Sequence, residues 1–161
     1  MFQINDIVVY ENGGVCTIKE IGTPDFVKGN ELYYIMEPIS DTSGKLYVKI
    51  DNQFIIRPVI SKDKALGYLA KLREMEGTYN RSDKLRNQEF KDALHSCEYD
   101  QWLGLMKGIL GEQNRREAEG KRLNMSDEKV LQRVNRLLSD ELSVACDITK
   151  EEAKEKILNA L

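Results

Sequence analysis

Apolar residues recur along this chain with two different periods, and the change falls near residue 60. Ile7 to Tyr10 is an unbroken apolar run, Asn12-Gly13-Gly14 is a turn signal, and Gly14 to Ile21 reads as a second strand. Two β-rich runs joined by a short Asn/Gly segment predict a hairpin. Glu31 to Glu37 is dense in β-forming residues. Lys45 to Ile50 alternates, with Leu46, Val48 and Ile50 on one face and Lys45, Tyr47 and Lys49 on the other. Phe54 to Arg57 makes a short fifth strand closed by Pro58. The connectors Gly22-Thr23-Pro24-Asp25, Lys28-Gly29-Asn30 and Asp41-Thr42-Ser43-Gly44 carry turn chemistry. Five short strands in about sixty residues predict a small, strongly bent sheet or an SH3/Tudor-like barrel.

From Ser61, a predicted N-cap, the spacing becomes helical. Ala65, Leu69, Leu72 and Met75 share one face of a helix predicted to end near Gly77. A second helix is predicted from Ser82 to about His95, with Leu85, Phe90, Ala93 and Leu94 as its apolar side. Trp102 to Leu110 is apolar nearly all round, which makes its helix central; Gly104, Gly108 and Gly111 within it suit close helix packing. Ser126-Asp127-Glu128 reads as an N-cap with acidic first-turn residues, opening a helix that carries Val130, Leu131, Val134, Leu137, Leu138 and Leu142. Thr149-Lys150-Glu151-Glu152 is a capping box for a last helix through Ile157 and Leu158.

Composition narrows the function classes. With 161 residues, 41% of them hydrophobic, the chain can build one medium domain or two small ones. A net charge of −3 offers no whole-protein attraction to nucleic acid or an anionic membrane, so any such contact must come from local basic patches. Residues 1–60 hold five Lys/Arg against eight Asp/Glu, and the remainder is balanced. Within the balanced half, Arg81, Lys84, Arg86 and Lys91 crowd the second helix, and Arg115, Arg116, Lys121 and Arg122 crowd the segment before Ser126. These clusters read either as a solvated helix face or as phosphate contacts. No run reaches the ~20 apolar residues of a membrane span, and the N-terminus lacks the basic and small-residue features of a secretory leader. Cys16, Cys97 and Cys146 are odd in number, far apart and form no CxxC, which favours buried free thiols in a reducing cytoplasm.

Catalytic chemistry finds little support. His95 is the only histidine, and its place beside Cys97 at a helix end reads as a C-terminal turn residue rather than half of a dyad. The glycines form neither GxGxxG nor a P-loop, and no Cys/His/Asp/Glu grouping has metal-ligand spacing. No catalytic residue, metal, cofactor, small-molecule substrate or membrane partner is therefore expected.

The opening MFQINDIVVYENGGVCTIKEI resembles the start of the CarD/CdnL family, whose members typically begin F-x-x-G-D-x-V-V-Y-P-x-x-G-x-G-x-I. Phe2, Asp6 to Tyr10, and Gly14 with the following strand match that pattern. Lys28-Gly29, Tyr33-Tyr34-Ile35 and Leu46 to Ile50 fall where the family places its third and fourth strands, and Leu137 to Leu142 resembles its last long helix. The resemblance covers most of the chain, and the order and spacing of the elements carry it. It implies a bacterial transcription regulator. A Tudor-like domain over residues 1–60 would dock on the RNA polymerase β subunit. A helical domain over residues 61–161 would contact promoter DNA weakly and with little sequence preference, altering open-complex stability. Lys49 lies where the family has a basic residue used against polymerase, with Tyr47 beside it; Lys28 and Arg57 complete the docking set. Arg86 matches a basic position of the family's DNA-facing segment, and Arg81, Lys84, Lys91, Arg115, Arg116, Lys121 and Arg122 are assigned with it.

Departures from the pattern are specific. The family's minor-groove wedge, a Trp, falls near Asp83, where a carboxylate would repel phosphate. Tyr79 is the nearby aromatic substitute, or else a solvated loop residue; Trp102 reads as core. Asn5 replaces a common Gly, Glu11 a Pro, and Asp25 lies near a position that can be basic. The reading is thus an α+β chain, a five-stranded Tudor-like domain followed by an all-helical one, acting as a cytoplasmic polymerase-docking regulator. A protein–protein adaptor without a DNA role is the alternative.

Overall fold

The computed structural model describes all residues, Met1–Leu161. They form two compact units, Met1–Val59 and Ile60–Leu161. The first is a five-stranded antiparallel sheet of β1 (Ile7–Tyr10), β2 (Gly14–Gly22), β3 (Tyr33–Pro38), β4 (Leu46–Lys49) and β5 (Ile56–Pro58), in the order β4-β3-β2-β1-β5. The β1–β2 hairpin pairs Tyr10 with Gly14. Its turn closes with Gly13 N–H donating to the Tyr10 carbonyl at 3.1 Å. Gly14 takes a φ of 72°, which a side chain would resist. Between Ile18 and Glu20 the β2–β3 register shifts, a bulge that bends the long strand β2.

Alternation decides what the sheet buries. Val8, Tyr10, Cys16, Ile18, Tyr34, Met36 and Val48 form one core cluster, with Phe2, Leu46, Ile50 and Ile56 packed against it. The expected inward set of the fourth strand, Leu46, Val48 and Ile50, is the one found. Burial pushes the Cys16 thiol up to about 12, so it is a neutral core residue. The last strand begins later than the sequence predicts: Phe54 and Ile55 precede it, both substantially exposed, and Pro58 lies inside it. As an edge strand, β5 tolerates the missing proline N–H.

The second unit contains α1 (Lys62–Lys71), α2 (Asp83–His95), α3 (Tyr99–Ala118), α4 (Met125–Cys146) and α5 (Lys150–Ala160). Ser61 and Thr149 cap α1 and α5 as their sequence predicts, and Ser82, where the sequence places the start of the second helix, caps α2; each side chain accepts a first-turn N–H. Three expectations are corrected. Helix α1 stops at Lys71 rather than near Gly77, and Met75 lies beyond it; the Lys71 carbonyl accepts the Glu74 and Met75 N–H, and Lys107 Nζ donates to the Leu72 and Arg73 carbonyls just past the helix at 2.7 and 3.1 Å. The cap of α4 is Asn124 rather than Ser126, because Asn124 Oδ1 accepts the Asp127 N–H at 2.8 Å. Leu85, expected on the apolar side of α2, is 56% exposed. The buried stripe runs instead through Arg86, Phe90 and Leu94 at i, i+4 and i+8.

Helix α3 is central as expected: Trp102, Leu103, Leu105, Met106 and Ile109 are all buried. Tyr99 stacks on Tyr68 with ring centres 5.6 Å apart, and its hydroxyl donates to the Leu138 carbonyl at 3.0 Å. Of the three α3 glycines only Gly108 serves close packing, and its neighbour is a loop. A Cβ there would overlap the Thr78 backbone, whereas Gly104 and Gly111 would meet nothing within 4 Å.

Candidate functional site

In the first unit, β4 has a paired neighbour only at β3 and is an edge strand; at its end the Lys49 carbonyl accepts from Asn52 Nδ2 at 2.6 Å and Asn52 N–H at 3.2 Å, and the Tyr47 backbone lies on the open side. Tyr47 stands on its outward face, 42% exposed, with the Phe26 ring meeting it edge-on at a centroid distance of 4.9 Å. Phe26 is itself 68% exposed. Two aromatics thus stabilise one another where solvent alone would gain nothing from them. Lys49 Nζ lies 2.8 Å from Glu31 Oε2, both side chains about half exposed. Hydrogen bonding to Glu31 raises the Lys49 pKa. This edge is therefore amphipathic: an aromatic pair, a cation with an exchangeable partner, and a free strand edge.

The sequence-assigned docking residues do not all gather here. Tyr47 and Lys49 share β4, and Lys28 is exposed in the β2–β3 connection. Arg57 lies on β5, the opposite edge, with three strands between. Its Nη1 donates to the Pro58 carbonyl at 3.0 Å. Phe26 escaped sequence reading because nothing in a loop residue's spacing reveals which strand it will cover.

The second unit gathers four of the eight assigned cations inward. Glu112 on α3 has a side chain only 1% exposed. Its two oxygens take Arg81 Nη1 at 2.5 Å, Arg115 Nε and Nη2 at 3.1 and 2.8 Å, and Arg116 Nε at 2.9 Å. The Arg115 hydrogen bonds first, then those of Arg116 and Arg81, hold its carboxyl well below the usual carboxylate range despite burial. Asp127, fully buried in the first turn of α4, accepts from the Tyr79 hydroxyl and from Arg86 Nε at 3.3 Å. Burial, then this bond to Asp127, pushes the Tyr79 phenol up to about 12.

Arg86 is corrected as an exposed phosphate contact. It is 4% exposed, and its remaining donors reach the Asn80 carbonyl at 3.0 Å and Asp83 Oδ1 at 2.7 Å. Two guanidiniums lie over the Tyr79 ring, with Arg86 Cζ 4.6 Å and Arg81 Cζ 5.2 Å from its centre. Tyr79 is thus neither a solvated loop residue nor a free wedge, and Trp102, 1% exposed, is core as its pattern predicts. Lys84, Lys91, Lys121 and Arg122 stay exposed, and Arg81 and Arg115 keep outer edges in solvent. Sequence reading missed Glu112 and Asp127. The i, i+3 and i, i+4 spacing from Glu112 to Arg115 and Arg116 was the available signal.

Cys97 is buried at a φ of 56° while His95 is exposed in the last turn of α2. No three His, Cys, Asp or Glu side chains converge in a manner that could hold a metal ion. No helix is long and apolar enough to cross a membrane.

One comparison bears on the five-stranded sheet. Residues 2–60 match the family model of the CarD-like/TRCF RID domain. The first unit is similar to CarD-like domains. The domains that this family model describes are RNA polymerase-interacting domains. The match ends where the helices begin, so the reading of the helical unit rests on its own geometry. Comparison with curated proteins finds no similar sequence.

Proposed function

We propose that the chain is a transcription regulator that docks on the RNA polymerase β subunit through the β4 edge of its CarD-like domain. Promoter open-complex stability is modulated through a weak, mostly nonspecific DNA contact of the helical unit. The observation that carries the docking is the free β4 edge, flanked by Tyr47, Phe26 and Lys49. Strand addition supplies main-chain hydrogen bonds, and the aromatic pair supplies the contact area typical of interface anchors. Lys49 already pairs with Glu31, so binding exchanges that carboxylate for one on the partner. Tyr47→Ala is expected to weaken binding to purified bacterial polymerase by about 2 kcal/mol, roughly thirtyfold in Kd. Unchanged affinity in a titration would remove β4 from the interface.

A second reading, an adaptor that binds polymerase without touching DNA, is favoured by one observation. Arg81, Arg115 and Arg116 neutralise Glu112, and Arg86 is buried against Asp127. The DNA contact then falls mainly to Lys84, Lys91 and Arg122. Three phosphate contacts give a logarithmic salt slope of roughly 3 on duplex DNA. The double reversal Lys84→Glu with Lys91→Glu is expected to abolish binding to a promoter fragment at low salt while leaving polymerase capture intact. DNA binding that survives the reversal would move the contact away from Lys84 and Lys91, and a wild-type chain that captures polymerase but binds no promoter fragment at low salt would favour the adaptor.

A further inference from the structure

A cleft of about 410 Å³ opens between α2 and α3 in the helical unit, and neither the docking edge nor the exposed cations use it. Its floor is apolar, made by Phe90, Ala93 and Leu105, with Thr78 at one end. Its rim is acidic, with Glu89 and Asp92 on the α2 side. Gly104 accounts for the space, because a Cβ built there meets nothing within 4 Å. A larger residue at that helical position would occupy the cleft.

The rim carboxylates are held in place. Glu89 Oε1 accepts from Asn80 Nδ2 at 3.0 Å, and Asp92 Oδ1 accepts from Gln88 Nε2 at 2.9 Å. Each keeps further lone pairs for an incoming donor. Lys107, the cation that α3 carries within one turn of Gly104, is committed to the Leu72 and Arg73 carbonyls. An apolar trough bordered by two oriented anions fits a side chain with an aliphatic stem and a cationic head.

We propose that this cleft binds a basic, amphipathic segment of a protein partner, with a Lys or Arg stem lying over Phe90 and Leu105 and its head between Glu89 and Asp92. Charge complementarity selects the occupant. The two carboxylates repel the phosphates of nucleic acid and disfavour an acidic peptide. The cleft belongs to the helical unit and the docking edge to the sheet unit, and occupation of the cleft does not depend on the docking reading.

The test titrates the isotope-labelled full chain with a short peptide of alternating Leu and Arg, with its Leu/Glu counterpart, and with duplex DNA, following backbone amide resonances. The Leu/Arg peptide is expected to shift Thr78, Ala93 and Gly104, and the other two probes to leave them unmoved. Gly104→Leu fills the cleft and is expected to abolish those shifts. Glu89→Gln with Asp92→Asn keeps the shape and is expected to weaken binding at least fivefold. Retained binding in Gly104→Leu, equal binding of the Leu/Glu peptide, or an absence of shifts in the folded wild-type chain would each overturn the proposal. Shifts of the cleft amides by DNA alone would also overturn it, assigning the cleft to nucleic acid.

Discussion

A carboxylate taken out of water needs cations within hydrogen-bonding distance, and Glu112 has three arginines. Glu112→Gln is expected to lower stability by about 2 kcal/mol. That is below the 3–5 typical of a broken buried pair, since Arg81 and Arg115 can return to water. Urea unfolding at neutral pH measures it. The pH dependence has a definite sign. The folded-state pKa of Glu112 is depressed, so its stabilisation is fully present above the unfolded value near ~4.3 and fades as pH falls below it. The melting temperatures of wild type and Glu112→Gln are therefore expected to converge under acid conditions; a constant gap would contradict the assignment. Arg86 sits deeper. Arg86→Ala leaves Asp127 buried without its cation and is expected to cost about 3 kcal/mol or more, whereas Lys84→Ala is expected to stay within about 0.5. These residues also mark where sequence reading fell short. Arg86, Glu112 and Asp127 occupy core positions, but hydrophobic periodicity counts a charged residue as outward-facing and cannot see that opposite charges will meet inside.

At the scale of elements, the loop after α1 and the middle of α3 approach so closely that side chains are excluded. A Cβ on Gly108 would overlap the Thr78 carbonyl, and one on Gly77 would overlap the Gly108 backbone. Gly108→Ala is expected to destabilise by roughly 1–3 kcal/mol. Gly104→Ala, in open space on the same helix, is expected to stabilise by up to about 1 kcal/mol through helix propensity. Thermal unfolding of the two variants checks the contrast, and equal effects would refute it. Caps were legible where the capping side chain stands immediately before a strong helical pattern, as at Ser61 and Thr149. The start of α4 was misplaced because Asn124 and Ser126 both carry capping chemistry, and only the Asn124 contact with the Asp127 N–H decides between them. The end of α1 was misplaced because the chain turns after Lys71, whose carbonyl accepts the Glu74 and Met75 N–H, and the Leu72 carbonyl beyond it is taken by Lys107, thirty-five residues on.

For the whole molecule, β4 was readable because it alternates, with Leu46, Val48 and Ile50 against Lys45, Tyr47 and Lys49, and β1 to β3 because they are short apolar runs buried at successive positions between turn signals. Strand order was not readable, and it places Arg57 on the opposite edge from Tyr47 and Lys49. The docking reading accordingly concentrates on β4. There Lys49 and Glu31 already form a pair, so a second carboxylate at position 49 would repel Glu31 as well as an acidic partner. The most direct measurement is capture of bacterial RNA polymerase by the tagged chain, comparing wild type with Lys49→Glu. The account predicts that wild type retains polymerase and Lys49→Glu loses it while keeping the melting temperature of a folded protein. Equal capture by both would move the interface away from the β4 edge, and no capture by either would contradict polymerase docking itself.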